Sequence, residues 1–220
     1  LKAAWDNQVI WLSIVGLAVF WSISQVMLAA FPAFAKETLG EHNTVVIQGM
    51  LACSGVGIIL GSIVAGRISR HHIETGLIPV GAIGIAATLF IVPGLGSAWT
   101  HGINFLALGF LAGLFLVPLN ALIQFNAGED GLGRVLAANN FVQNIVMLSF
   151  LGLTVVAAFV KVGGLALMIA LGVIALLGAL YTLYQLPQSL VRFLIARVMA
   201  TRYRLHVIGL DNLPAQGGVL

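Results

Sequence analysis

A chain of 220 residues with 60% hydrophobic residues, 8% charged residues and a net charge of +3 does not have the composition of a soluble domain. Soluble domains carry about 45–50% apolar and about 25% charged residues. So little charge does not cover the surface of a water-soluble globule, and the lone cysteine, Cys53, excludes an internal disulfide framework and a multi-cysteine metal cluster.

The few charges divide the chain. A transmembrane helix needs about 20 apolar residues. No Asp, Glu, Lys or Arg lies between Asp6 and Lys36, which predicts a first span over 8–35 with one amide, Gln25, at membrane depth. The gap from Glu41 to Arg67 predicts a second span over 44–66, in which Gly57, Gly61 and Ala65 form a stripe of small residues at four-residue spacing. Such stripes let helix backbones approach each other closely in lipid. The gap from Glu74 to Glu129 is long enough for two spans, and Pro93-Gly94-Leu95-Gly96-Ser97 breaks it, giving helices over 77–93 and 102–125. The fourth carries a second small-residue pair, Gly109 and Gly113, and a helix-interior proline, Pro118, which removes one backbone hydrogen bond and favours a kink. Near its end Asn120 and Gln124 share a face at i, i+4 spacing. The fifth span, over 135–160, opens with four amides: Asn140 and Asn144 on one face, Asn139 and Gln143 on a neighbouring one. The sixth covers 163–186.

The expected fold class is therefore an all-α membrane protein, a six-helix bundle over residues 1–186. Helices satisfy their own backbone hydrogen bonds in hydrocarbon, and these segments lack the alternating polarity of a barrel strand. None reads as a cleaved signal peptide. A chain beginning with Leu1 is expected to be a piece of a longer protein. Orientation follows from the cations. With the amino terminus in the cytoplasm, that side holds Lys2, Arg67, Arg70, Arg134, Arg192, Arg197, Arg202 and Arg204, and the other side only Lys36 and Lys161. Both ends are then cytoplasmic. The basic residues are scattered and not interleaved with aromatics, so nucleic acid is not an expected partner.

The amides are the candidate site. Burying an amide without a partner costs roughly 2–7 kcal/mol, so Gln25, Asn120, Gln124, Asn140, Gln143 and Asn144 are expected to contact the polar headgroup of a substrate. The alternative use of these amides is hydrogen bonding between helices. No carboxylate lies deep in a span, so no proton relay is evident. His42 and His101 are expected in external loops and His71 and His72 in a cytoplasmic one, without metal-ligand spacing. No phosphate-binding glycine loop or nucleophile–base pair is present. The expectations are no catalytic residue, no metal and no cofactor in this stretch.

The loop after the second span, Ala65-Gly66-Arg67-Ile68-Ser69-Arg70-His71-His72, resembles the cytoplasmic loop signature of the major facilitator superfamily. Ala65, Arg67 and Arg70 match it; Ser62 and Ser69 replace glycines, and Gly66 replaces the aspartate of the usual charge-relay latch. The resemblance gives Arg67 and Arg70 a conformational role; two arginines in a short turn would also simply fix topology. Six spans match one half of such a transporter, whose substrate site lies between two six-helix halves. Four runs are similar to the lysophospholipid transporter family: AFPAFAKETLG at 30–40, IETGLIPVG at 73–81, VPLNALIQ at 117–124 and ANNFVQN at 138–144. That resemblance implies the second half of a transporter that flips lysophospholipids across a bacterial inner membrane.

Residues 187–202 begin with Pro187, a favoured first helical residue, and mix Leu, Val, Phe and Ile with Arg192 and Arg197, as expected of a helix at the membrane interface. A straight extension of the sixth span is the alternative. Residues 203–220 alternate like a strand and then turn. VIGLDNLP at 207–214 and GGVL at 217–220 resemble the opening of the glycerolipid acyltransferase family. That family's catalytic His and Asp, four residues apart, follow this strand and so lie beyond Leu220; His206 and Asp211 share the spacing but precede it. The resemblance implies a parent protein that moves a lysophospholipid inward and reacylates it. Two rivals stand beside this reading: an exporter of drugs or metabolites with the same fold, and a set of helices that only anchors an acyltransferase.

Overall fold

The computed structural model describes residues 7–70, 72–128 and 131–202. Helices fill nearly all of this range: α1 (Gln8–Thr38), α2 (Thr44–Ile68), α3 (Leu77–Ile91), α4 (Ala98–Ala127), α5 (Leu132–Phe159), α6 (Gly164–Gln185) and α7 (Pro187–Arg202), with a short 3-10 turn over Val92–Gly94 after α3. Six are long and apolar enough to cross a membrane: α1, α2, α3 with its 3-10 turn, α4, α5 and α6. The all-α expectation and all six spans hold, with ends within a few residues of those expected. The strand and acyltransferase opening expected over 203–220 lie outside the described residues.

Polar side chains at the ends explain the boundaries. Asn7 Oδ1 accepts from the backbone N–H groups of Val9 and Ile10 at 3.0 and 3.3 Å and caps α1. Asn43 Oδ1 accepts from Val45 N at 2.9 Å and caps α2. Ser97 Oγ accepts from Thr100 N at 3.3 Å and starts α4 at Ala98, four residues before the expected start. Such caps satisfy the orphan N–H groups of a first turn. They also correct the expectation for His101: it is not in an external loop but in the first turns of α4, fully buried. Pro118 lies inside α4, which continues through it to Ala127.

The bundle has an internal order. The long helix pairs are α2 with α4 and α5 with α1; α3 packs on α4 and on α6; and α1 also meets α4 and α6. The core runs along α1, from Ile10 and Ile14 through Leu17 to Phe31 and Phe34, and continues into α4 at Phe105, Ala112 and Ile123. The tightest seam joins α2 to α4. A Cβ on Gly57 would overlap the carbonyl oxygen of Leu106, one on Gly61 that of Phe110, and one on Gly109 that of Ser54. Both small-residue stripes therefore meet at one seam, backbone against backbone. By contrast α5 buries only Val135, Ala138 and Asn139 and leaves Phe141, Ile145 and Leu148 exposed.

α7 is not a straight extension of α6. The chain breaks at Leu186 (φ −126°, ψ 41°). α7 then crosses the start of α3, where Thr75 Oγ1 donates to Ser189 Oγ at 2.9 Å and Phe193 packs with Ala65, Leu77 and Leu114. Val191, Leu194, Ile195, Val198 and Met199 remain exposed.

Candidate functional site

The expected site residues sit on three helices. Gln25 is half-buried on α1; Asn120 and Gln124 are exposed on α4; Asn140 and Asn144 are exposed on α5, and Gln143 is half-buried beside them. Their hydrogen bonds stay within their own helices. Asn120 Nδ2 donates to Leu116 O at 2.9 Å, and Asn144 Nδ2 donates to Asn140 O at 2.7 Å. Gln143 Nε2 donates to Asn139 Oδ1 at 2.7 Å, with Asn139 buried. No described hydrogen bond joins any of these amides to another helix. Each bond is made one turn back along the helix, so it satisfies one N–H and leaves the amide carbonyl of Asn120, Gln143 and Asn144 with free lone pairs. An incoming hydroxyl or phosphate-bearing headgroup would exchange with such local bonds at little net cost, because intrahelical amide bonds contribute only about 1 kcal/mol each.

The cross-helix amide bond that does occur was not apparent from sequence. Asn104 of α4, buried, donates through Nδ2 to Thr88 O of α3 at 3.1 Å. A single Asn facing a carbonyl sixteen residues away leaves no local pattern. Its surroundings are structural: one turn earlier, His101 lies among Phe31, Phe34 and Phe105, and Phe31 meets Phe105 edge-on with centroids 4.8 Å apart. His101 Nδ1 lies 2.9 Å from Ser97 O, and its Nε2 is buried with no partner.

The loop between α2 and α3 is tied down mainly by Glu74. Its Oε2 meets His72 Nε2 at 3.0 Å, its Oε1 accepts from Gly76 N at 3.4 Å, and its own N–H donates to Ser69 Oγ at 3.4 Å. Arg67, in the last turn of α2, and Arg70, just beyond it, are both exposed, and neither enters an ion pair among the described residues. Arg67 is placed where a cation complements the helix C-terminus. The described residues hold no group of three or more His, Cys, Asp or Glu able to share a metal ion. Cys53 is half-buried and donates to Gly49 O at 3.3 Å, within its own helix.

One large cavity lies elsewhere, between α1, α3, α4 and α6. It measures about 580 Å³ and is walled by Leu12, Gly16, Ile85, Leu119, Ile174 and Gly178 among others. None of the six amides lines it.

Comparison with known proteins places the chain in a family. A family profile described as Major Facilitator Superfamily matches residues 1–151. Three curated relatives are each called lysophospholipid transporter LplT. The one from Photorhabdus laumondii is 31% identical over 68% of this chain and 37% of its own length. One from Klebsiella pneumoniae is 29% identical over 79% of this chain and 44% of its own length. One from Salmonella arizonae is 30% identical over 77% of this chain and 43% of its own length. The chain thus spans roughly two fifths of the relatives it matches. No solved structure matches it.

Proposed function

The chain belongs to the major facilitator superfamily, and we propose that it is the second six-helix half of a transporter that moves lysophospholipids across a bacterial inner membrane. The observation that carries this reading is its likeness, over 153 to 180 residues, to proteins that bear that name. Chemistry supports it. A lysophospholipid has a polar headgroup and one acyl chain. The amide-bearing faces of α4 and α5 are free of ionised side chains at membrane depth, so they can solvate a zwitterionic head without the cost of an unpaired buried charge.

In this scheme Gln25, Asn120, Gln124, Asn140, Gln143 and Asn144 contact the headgroup where the two halves of the parent protein meet. Transporters of this architecture work by rocking one half against the other. Arg67, in the last turn of α2, and Arg70, on the following loop that α7 meets at Thr75 and Gly76, respond to that motion. Downstream, residues 203–220 open an acyltransferase domain that consumes the delivered lysophospholipid. Both ends of the chain face the cytoplasm.

The test is uptake of labelled lysophospholipid by proteoliposomes holding the full-length protein. Asn140→Ala combined with Asn144→Ala is expected to lower the rate tenfold or more at unchanged protein level. Unchanged uptake would remove these residues from the site. A wild-type protein that moves only soluble drugs or metabolites would instead favour the exporter reading, and one whose transport vanishes with the tail would favour the anchor.

A further inference from the structure

We infer that the cavity between α1, α3, α4 and α6 is a binding site for a single acyl chain of a membrane lipid, separate from the amide-bearing face. The inference does not depend on which substrate the parent protein carries. Four features point to it.

The first is depth. The lining residues belong to the start of α1 and of α3 and the end of α4 and of α6, and successive spans alternate in direction, so all four segments lie on the side of the bilayer that bears Arg67, Arg70 and α7. Along α1 the lining runs from Gln8 to Ile23. That is about 22 Å at 1.5 Å per residue, more than the ~15 Å depth of one leaflet's hydrocarbon, half of a ~30 Å core. The second is size: about 580 Å³ falls within the roughly 300–1,000 Å³ of small-ligand sites.

The third is chemistry. The deep wall is Val, Leu, Ile, Phe, Ala and Gly. Its Ser and Thr hydroxyls donate within their own helices, Ser13 Oγ to Val9 O at 2.8 Å and Thr182 Oγ1 to Ala179 O at 2.8 Å. Amides occur only at one end, where Gln8 begins α1 and Gln185, which donates to the Tyr181 hydroxyl at 2.8 Å, ends α6. A pocket that is apolar in depth and polar at one mouth matches a chain with a head. The fourth is charge. α7 leaves that mouth at Pro187 and carries Arg192 and Arg197, cations suited to a lipid phosphate.

Gly178 offers a clean probe. It lines the cavity, and a Cβ built on it meets nothing within 4 Å, so a larger side chain grows into the space without striking backbone. The full-length protein in liposomes would be irradiated with lysophospholipid or diacyl phospholipid bearing a photoreactive group at the chain end, and the labelled peptides mapped by mass spectrometry. Labelling is expected at α1 and α6 around Leu12 and Gly178, at least tenfold above that of the outward α2 residues Ile59 and Ile63. Gly178→Phe should abolish the excess, and Gly178→Ala, which elutes as wild type does if the fold is intact, should keep it. The two probes show which lipid supplies the chain. Labelling no higher than at α2, labelling that survives Gly178→Phe, or a protein segment of the parent crosslinked into the cavity would each overturn the inference.

Discussion

His101 shows how a single side chain resists prediction from a string of letters. Its neighbours in sequence, Trp99-Thr100 before it and Gly102 after it, suggest a polar turn, and the Pro-Gly-rich break just upstream encourages that reading. Ser97 decides otherwise by capping a helix that includes His101, and α4 then carries the imidazole into an aromatic cluster. The price is an unpartnered Nε2. A buried polar atom without a hydrogen bond costs about 1–3 kcal/mol. Ser97 O would keep the backbone N–H of residue 101 as a donor, at 3.1 Å, if the ring were exchanged. His101→Phe is therefore expected to preserve or raise the melting temperature of the purified full-length protein, whereas His101→Ala should lose about 3–5 kcal/mol through the cavity it leaves. Equal losses for the two substitutions would show that Nε2 is satisfied after all. The amides present the opposite case. Their alignment along each helix was legible at once, because i, i+4 spacing is local. Whether α4 and α5 turn those faces to a common space was not, because that depends on how the helices pack.

Helices were legible as elements and illegible as faces. Charge-free intervals counted six spans and placed their ends to within a few residues, since a charge within hydrocarbon is costly. Yet each span is apolar nearly all round, so the pattern of Leu, Ile and Val says nothing about which side meets a neighbour. Glycine does. Gly57, Gly61, Gly109 and Gly113 stood out as two stripes, and both are buried in the α2–α4 seam. Gly61→Leu drives a side chain into the Phe110 carbonyl, which has no rotamer to yield. Overpacking of this kind costs about 1–3 kcal/mol and more where backbone must move. Heating the detergent-solubilised full-length protein should show a markedly earlier loss of monodisperse elution for Gly61→Leu, and no change for Gly66→Leu, five residues on, where the space is open. A similar response from both would mean the seam is not the close contact described. The cavity, walled by four helices together, left no trace in any one of them.

At the scale of the whole molecule, the cations predict an orientation. Eight cations against two argue for both ends in the cytoplasm, and the prediction is direct. In a Cys53→Ser background, Lys36→Cys should react with a membrane-impermeant maleimide applied to intact spheroplasts, and Arg70→Cys only after the membrane is opened. The reverse pattern would invert the orientation. The α2–α4 seam has one more consequence, in time. The two helices that fit most closely are not consecutive: α3 and its turn are made between them. At about 5–20 residues per second of synthesis, the glycine stripe of α2 waits roughly 3–10 s before α4 arrives. During that interval its grooved backbone faces acyl chains, and any other small-faced helix nearby is a competitor. The closest contact in the bundle thus waits for α3 to be made, yet precedes every contact that needs α5 or α6.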